Sequence, residues 1–214
     1  MGEAGPRASR PVLVASRNAK KVEEMRRILR EHLTEVEVLG LDDVAAYDEP
    51  VEDEPTFEGN ALLKARAGVA SSGLPTLADD SGLCVDALNG MPGVLSARWS
   101  GVPGDSKARA DDRNNELLLA QLADVPDERR TAYFVCAVAL VLPDGTVRVV
   151  QGRMDGRITR EVQGGGGFGY DVLFEADDRP GVTTAELAAA DKDAISHRGK
   201  ALREIAPIVA DLLR

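Results

Sequence analysis

An Asp144-Gly145 pair separates two apolar segments, TAYFVCAVALVL (131–142) and VRVVQG (147–152). Asp-Gly supplies the positive-φ conformation of a tight turn, so the two segments predict an antiparallel hairpin. Upstream the pattern differs. PVLVAS (11–16) is a short apolar run suited to a buried strand. Val22, Met25, Leu29 and Leu33 then recur at helical spacing between Ala19 and Leu33. VEVLGL (36–41) predicts a second strand, Phe57 to Ala70 a helix, and PTLAD (75–79) the start of a third strand. Strands alternating with helices make an α/β layer, and the hairpin adds an antiparallel or mixed extension to it. Such a chain has room for a cleft between two lobes.

The remaining segments are punctuated by turn residues. Residues 42–55 are acidic with two prolines, and 89–104 are rich in Gly and Pro, so both predict loops. Ala108 to Leu122 predicts a helix, GGGG (164–167) a flexible hinge, and Asp171 to Glu175 a strand. Ala194 to Leu213 predicts a terminal helix that Pro207 should kink or interrupt. Residues 1–10 read as a flexible tail, leaving 11–214 as a single domain. The first ten residues lack the apolar core of a secretion signal. No run approaches the ~18 apolar residues of a membrane helix. Cys84 and Cys136 sit in apolar stretches and are expected as buried thiols in a reducing, cytoplasmic setting.

Charge narrows the partners. Lys plus Arg is 26 and Asp plus Glu is 36, a formal net charge of −10. That balance, with no basic stripe, disfavours a nucleic-acid surface. It leaves open a small anion held by a few lysines and a divalent cation. Several segments carry chemistry of that kind. Ser16-Arg17-Asn18-Ala19-Lys20-Lys21 spans a strand-to-helix junction, where free N–H groups and the helix dipole favour an anion. A plain helix cap with solvated lysines fits it too. Glu52, Asp53 and Glu54 precede a helix on which Asn60 and Lys64 share a face, a carboxylate for a metal and a lysine for a phosphate, or an exposed Asn–Lys pair.

Asp79-Asp80-Ser81-Gly82 follow an apolar strand, where α/β folds place ligands. Hard carboxylate oxygens suit Mg²⁺, and adjacent strand residues point to opposite faces, so Asp79 and Asp80 are expected to differ in role. An Asx turn ending the strand is the ordinary alternative. In GGGGFGYD (164–171), Phe168 and Tyr170 offer faces for a base and Asp171 an acceptor, or two core aromatics in a loop. Lys192 and Ser196-His197-Arg198 offer a helix cap and cations for phosphate or a purine carbonyl.

Together, SRNAKK (16–21), TFEGNALLKARA (56–67), LADDSGLCVDALNGMPGVLSARWSG (77–101), GGFGYDVLF (166–174) and ISHRGKAL (195–202) resemble the inosine/xanthosine triphosphate pyrophosphatase family. The resemblance implies an elongated α/β mixed sheet with a central substrate cleft, in a homodimer. It implies Mg²⁺-dependent hydrolysis of dITP, ITP and XTP to the monophosphate and pyrophosphate. Carried over by position, Asp80 is the general base and a metal ligand, and Glu52 a second metal carboxylate. By the same resemblance Ser16, Asn18, Lys21 and Lys64 would hold the triphosphate, with Ser81 nearby. Phe168, Gly169, Tyr170 and Asp171 meet base and sugar, and Lys192, His197 and Arg198 complete the base pocket. The chain departs from relatives at Arg17 and Lys20, positions often small, and at Gly59, where glutamate is common. A pyrophosphatase for modified pyrimidine triphosphates and a non-catalytic nucleotide-binding module are the competing readings.

Overall fold

The hairpin forms the middle of the molecule. In the computed structural model, which describes residues 10–33, 36–102 and 106–213, β4 (Thr131–Val141) and β5 (Val147–Ile158) pair along their whole length. β5 outruns the expected VRVVQG because burial keeps alternating through Gly152, Met154, Gly156 and Ile158. On the other side of β4 lies antiparallel β3 (Thr76–Val85), followed by parallel β1 (Arg10–Val14) and β2 (Val36–Leu39). β6 (Phe174–Ala176) closes the far edge, giving one six-stranded mixed sheet in the order β2-β1-β3-β4-β5-β6. Arg10 opens β1; the rest of the expected tail lies outside the described residues, as do 103–104 of the expected loop.

Side-chain alternation sorts the sheet into faces. On one face of β3 stand Leu77, Asp79, Ser81, Leu83 and Val85, opposite Leu140, Val138, Cys136, Phe134 and Ala132 of β4. Leu77 belongs to an apolar cluster packed under α1 (Ala19–His32) and α5 (His197–Leu212). Leu83 and Val85 belong to a second cluster under α3 (Lys107–Gln121). The polar pair Asp79 and Ser81 falls between the two, so the lobes part there. The other face, with Ala78, Val135, Ala137 and Ala139, is covered by α2 (Phe57–Ser72). Cys84 and Cys136 are buried free thiols.

Four expectations need correcting. Asp79 and Asp80 sit within β3 rather than after it, because β4 pairs with the strand through Val85. Residues expected as a strand from Asp171 form a 3₁₀ turn, Gly169–Leu173, before β6. Gly169 takes φ 62° and Asp171 caps the turn, which together bend the backbone out of an extended path. The terminal helix is two helices, α4 (Ala189–Ile195) and α5, parted at extended Ser196. Pro207 does not interrupt α5, since Leu202, Ile205, Ala206 and Val209 pack on both sides of it. Among the described residues, no helix is long and apolar enough to cross a membrane.

Candidate active site

β1 pairs with β3 only at Thr76 and Leu77, and β3 runs on to Val85. Where β1 stops, the chain turns into α1 and leaves the edge of β3 open at Asp79, Asp80 and Ser81. That opening is a cleft of about 250 Å³. The residues assigned by resemblance to metal, phosphate and base, from Ser16 and Glu52 to Phe168 and Arg198, border it, while Asn60 and Asp79 lie behind its wall.

Asp80 points toward α2. Asn60 Nδ2 donates to its Oδ2 at 3.0 Å, and its Oδ1 accepts the Ser81 N–H at 3.0 Å. Lys64, one turn after Asn60, reaches Asp80 Oδ1 at 3.9 Å and Glu52 Oε1 at 2.6 Å. Asn60 Oδ1 also accepts the Glu54 N–H at 3.1 Å, fixing the acidic loop against α2. Burial pushes the Asp80 carboxyl above its ordinary range despite Lys64, Lys21 and the Asn60 hydrogen bond. Burial lowers the Lys64 pKa, but Asp79, Asp80 and Glu52 outweigh it and leave it above the ordinary lysine value.

Asp79 points the other way, toward α1 and α5. Its Oδ2 meets Lys21 Nζ at 3.0 Å and Arg198 Nε at 3.4 Å. Burial would raise this carboxyl, yet Lys21, Arg198 and Lys64 hold it well below the usual carboxylate range. Arg198 also binds Glu24 Oε2 at 2.5 Å and Ser81 Oγ at 2.9 Å. Asp79 therefore pairs with the protein's own cations, on the opposite face of β3 from Asp80. Asn18 caps α1, and its carbonyl oxygen accepts from Lys21 N.

The third wall is the 164–171 loop. Phe168 is half-buried, with Lys192 Nζ 5.0 Å, Lys107 Nζ 5.4 Å and Arg198 Cζ 5.7 Å from its ring centroid. The glycine run expected as a hinge is fastened. Gly166 N–H donates to Ala185 O at 2.9 Å, and Gly167 O accepts from Lys20 Nζ at 2.8 Å. Tyr170 is buried in the α3 cluster and donates its hydroxyl to Ser96 O at 2.9 Å, so its ring builds the wall. Asp171 is filled by its neighbours. It accepts from Phe168 N at 2.8 Å, Lys192 Nζ at 2.5 Å and Thr184 Oγ1 at 2.9 Å.

Ser196 caps α5 through Gly199 N at 2.9 Å and places His197 and Arg198 in its first turn, as the sequence predicts. The His197 ring stacks on Phe134 at 4.8 Å and 11°. Burial, then the charges of Arg198, Lys192 and Lys21, drive its pKa well down, so it is neutral at pH 7. Its Nδ1 is buried with no hydrogen-bond partner among the described residues.

Sequence reading missed Ser96, Lys107 and Asp111, which also border the cleft. Gly82 admits Ser96: a Cβ there would lie 2.5 Å from both Gly93 O and Ser96 Oγ. A polar residue every fourth position at the start of α3 was the available signal for Lys107 and Asp111.

Residues 12–208 match the Ham1 family. The dITP/XTP pyrophosphatase of Nocardia farcinica is 61% identical over 202 residues, covering 94% of this chain and 95% of that one. A crystal structure titled nucleoside-triphosphatase / dITP/XTP pyrophosphatase, from Mycobacterium abscessus, is 55% identical with a TM-score of 0.73, covering 92% and 99%. A HAM1 protein from Coxiella burnetii superposes with a TM-score of 0.82 at 35% identity, covering 94% and 99%.

Proposed function

The chain belongs to the Ham1 family, and from that premise we infer that it is a dITP/XTP pyrophosphatase, hydrolysing non-canonical purine nucleoside triphosphates to the monophosphate and pyrophosphate. The observation that carries the reading is the gathering of dispersed segments, from Ser16 to Arg198, around one cleft. The same gathering supports treating 11–214 as one domain.

The metal is part of the proposal. Among the described residues, no three His, Cys, Asp or Glu side chains converge as a cage. Glu52 and Asp80 do converge on a cation, since the Lys64 ammonium lies against both. Two carboxylates with the remaining positions left to phosphate and water suit Mg²⁺. Glu52 and Asp80 would hold it, and when bound it supplies charge neutralisation to the phosphates.

In the proposed reaction the α1 N-terminus, Ser16, Asn18, Lys21 and Lys64 take the triphosphate, with Ser81 beside Arg198. The Asp80 carboxylate orients a water and takes its proton as the water oxygen bonds to the α-phosphorus. The bond from the α-phosphorus to the bridging oxygen breaks, and pyrophosphate leaves. Phe168 stacks on the base, and Gly169, Tyr170 and Asp171 shape the loop that carries it. Lys192, Arg198 and His197 Nδ1 meet the purine edge. A 6-oxo group accepts from a cation there, whereas the amino group of adenine leaves that donor unpaired. A homodimer and cytoplasmic residence complete the proposal, to be checked by light scattering and by fractionation.

A substrate panel tests the reading. ITP, dITP and XTP should be turned over far faster than ATP or methylated pyrimidine triphosphates, and only with Mg²⁺. Asp80→Asn keeps the shape and should lower kcat about 10²- to 10⁴-fold. Faster turnover of the pyrimidines, or near-normal activity of the variant, would overturn it.

A further inference from the structure

Lys107, Asp111 and Asn115 stand one turn apart on the same face of α3. The last two grip the loop that carries Phe168. Asp111 Oδ2 accepts the Gly169 N–H at 3.0 Å, and Asn115 Nδ2 donates to Gly169 O at 3.0 Å. One turn earlier, the Lys107 side chain borders the cleft and also a larger outer chamber of about 850 Å³ that shares Asn18 and Phe168 with it.

The other cations of the cleft are paired. Lys21 meets Asp79, Lys64 meets Glu52, Lys192 meets Asp171 and Arg198 meets Glu24. Lys107 makes no salt bridge among the described residues, and Asp111 is the carboxylate that acts on it. Partial desolvation at the rim, opposed by Asp111, and the positive charges of Lys21, Lys20 and Arg198 lower its pKa below an ordinary lysine's. An unpaired ammonium among like charges is stabilised by an anion placed between them. We propose that Lys107 is a substrate-binding residue of the cleft, neutralising the polyphosphate from the α3 side, opposite Lys21. The proposal rests on the triphosphate reading above.

Inorganic tripolyphosphate binding, measured by calorimetry with Mg²⁺, tests it without turnover. Lys107→Met should weaken binding about fivefold to tenfold and raise KM for ITP and XTP alike by that factor, with kcat within about twofold. Lys107→Arg should restore most of both. Unchanged tripolyphosphate affinity in Lys107→Met overturns the proposal, as does a loss confined to XTP, which would place Lys107 on the base. The side chain lies at the exposed rim, so the melting temperature should not move. Failure of the functional reading has a separate mark: wild-type protein that does not hydrolyse ITP.

Discussion

His197 and Arg198 adjoin in the first turn of α5, yet the fold keeps one neutral and the other charged. Burial works against the Arg198 cation, and Glu24 and Asp79 outweigh it. Burial works against a His197 cation too, but the nearest charges are positive and deepen the effect. The folded-state pKa of His197 therefore lies below the ordinary value near 6.5. As pH falls below about 6.5 the unfolded chain takes a proton that the folded chain refuses, and stability declines. It levels off only below the folded pKa. His197→Phe keeps the stack on Phe134 and removes this proton. Relative to wild type, its urea-unfolding free energy should fall less between about pH 7 and pH 5. Parallel profiles would show that His197 is not held neutral. The sequence set Arg198 beside His197, but the burial of the ring and the charges of Lys192 and Lys21 come from other elements, which no local pattern announces.

Between elements, the site depends on how closely α5 lies on β5. A Cβ on Gly152 would fall 2.0 Å from His197 O and 2.7 Å from Ala201 N, both backbone atoms that no rotamer change can move. Gly152 is thus what seats the first turn of α5 on the sheet. Gly152→Ala should push that turn off β5 and carry Arg198 away from Asp79 and Ser81. The expected result is a loss of about 1–3 kcal/mol in stability and at least a tenfold loss in kcat/KM for ITP. Gly145→Ala, in the hairpin turn, should disturb stability while sparing KM; equal effects on KM would sink the argument. The central strands were legible because continuous apolar runs mark strands buried on both faces, and the hairpin because Asp-Gly fixes its turn. The 169–173 turn was not, because it rests on Asp171 meeting Lys192 and Thr184, contacts that exist only once distant segments have met. The Ser196 cap on Gly199 is local and was legible, whereas α4 ahead of it was not.

At the scale of the whole molecule the acid excess of 36 against 26 has a second use. Besides Glu52 and Asp80, the carboxylates of Glu24, Asp79 and Asp171 hold Lys21, Lys192 and Arg198 in place around the cleft. The cations come from α1, α2, α4 and α5, so the site exists only while all three apolar clusters are packed together. A ligand spanning the cleft must then stabilise the entire fold. A ligand at one hundred times its Kd contributes about 2.7 kcal/mol. For a chain of 150–250 residues each kcal/mol moves Tm by about 2–4 °C, so the expected rise is about 5–11 °C. The probe is the non-hydrolysable α,β-imido analogue of ITP with Mg²⁺, read by calorimetric melting. The adenosine analogue should give a much smaller rise at equal concentration, since it leaves the donors facing the purine 6-position unpaired. Omitting Mg²⁺ should cut the inosine rise as well, because Glu52 and Asp80 then face the phosphates with no divalent cation between them. Equal shifts from the two analogues would remove the base pocket from the argument, and an undiminished shift without Mg²⁺ would remove the metal.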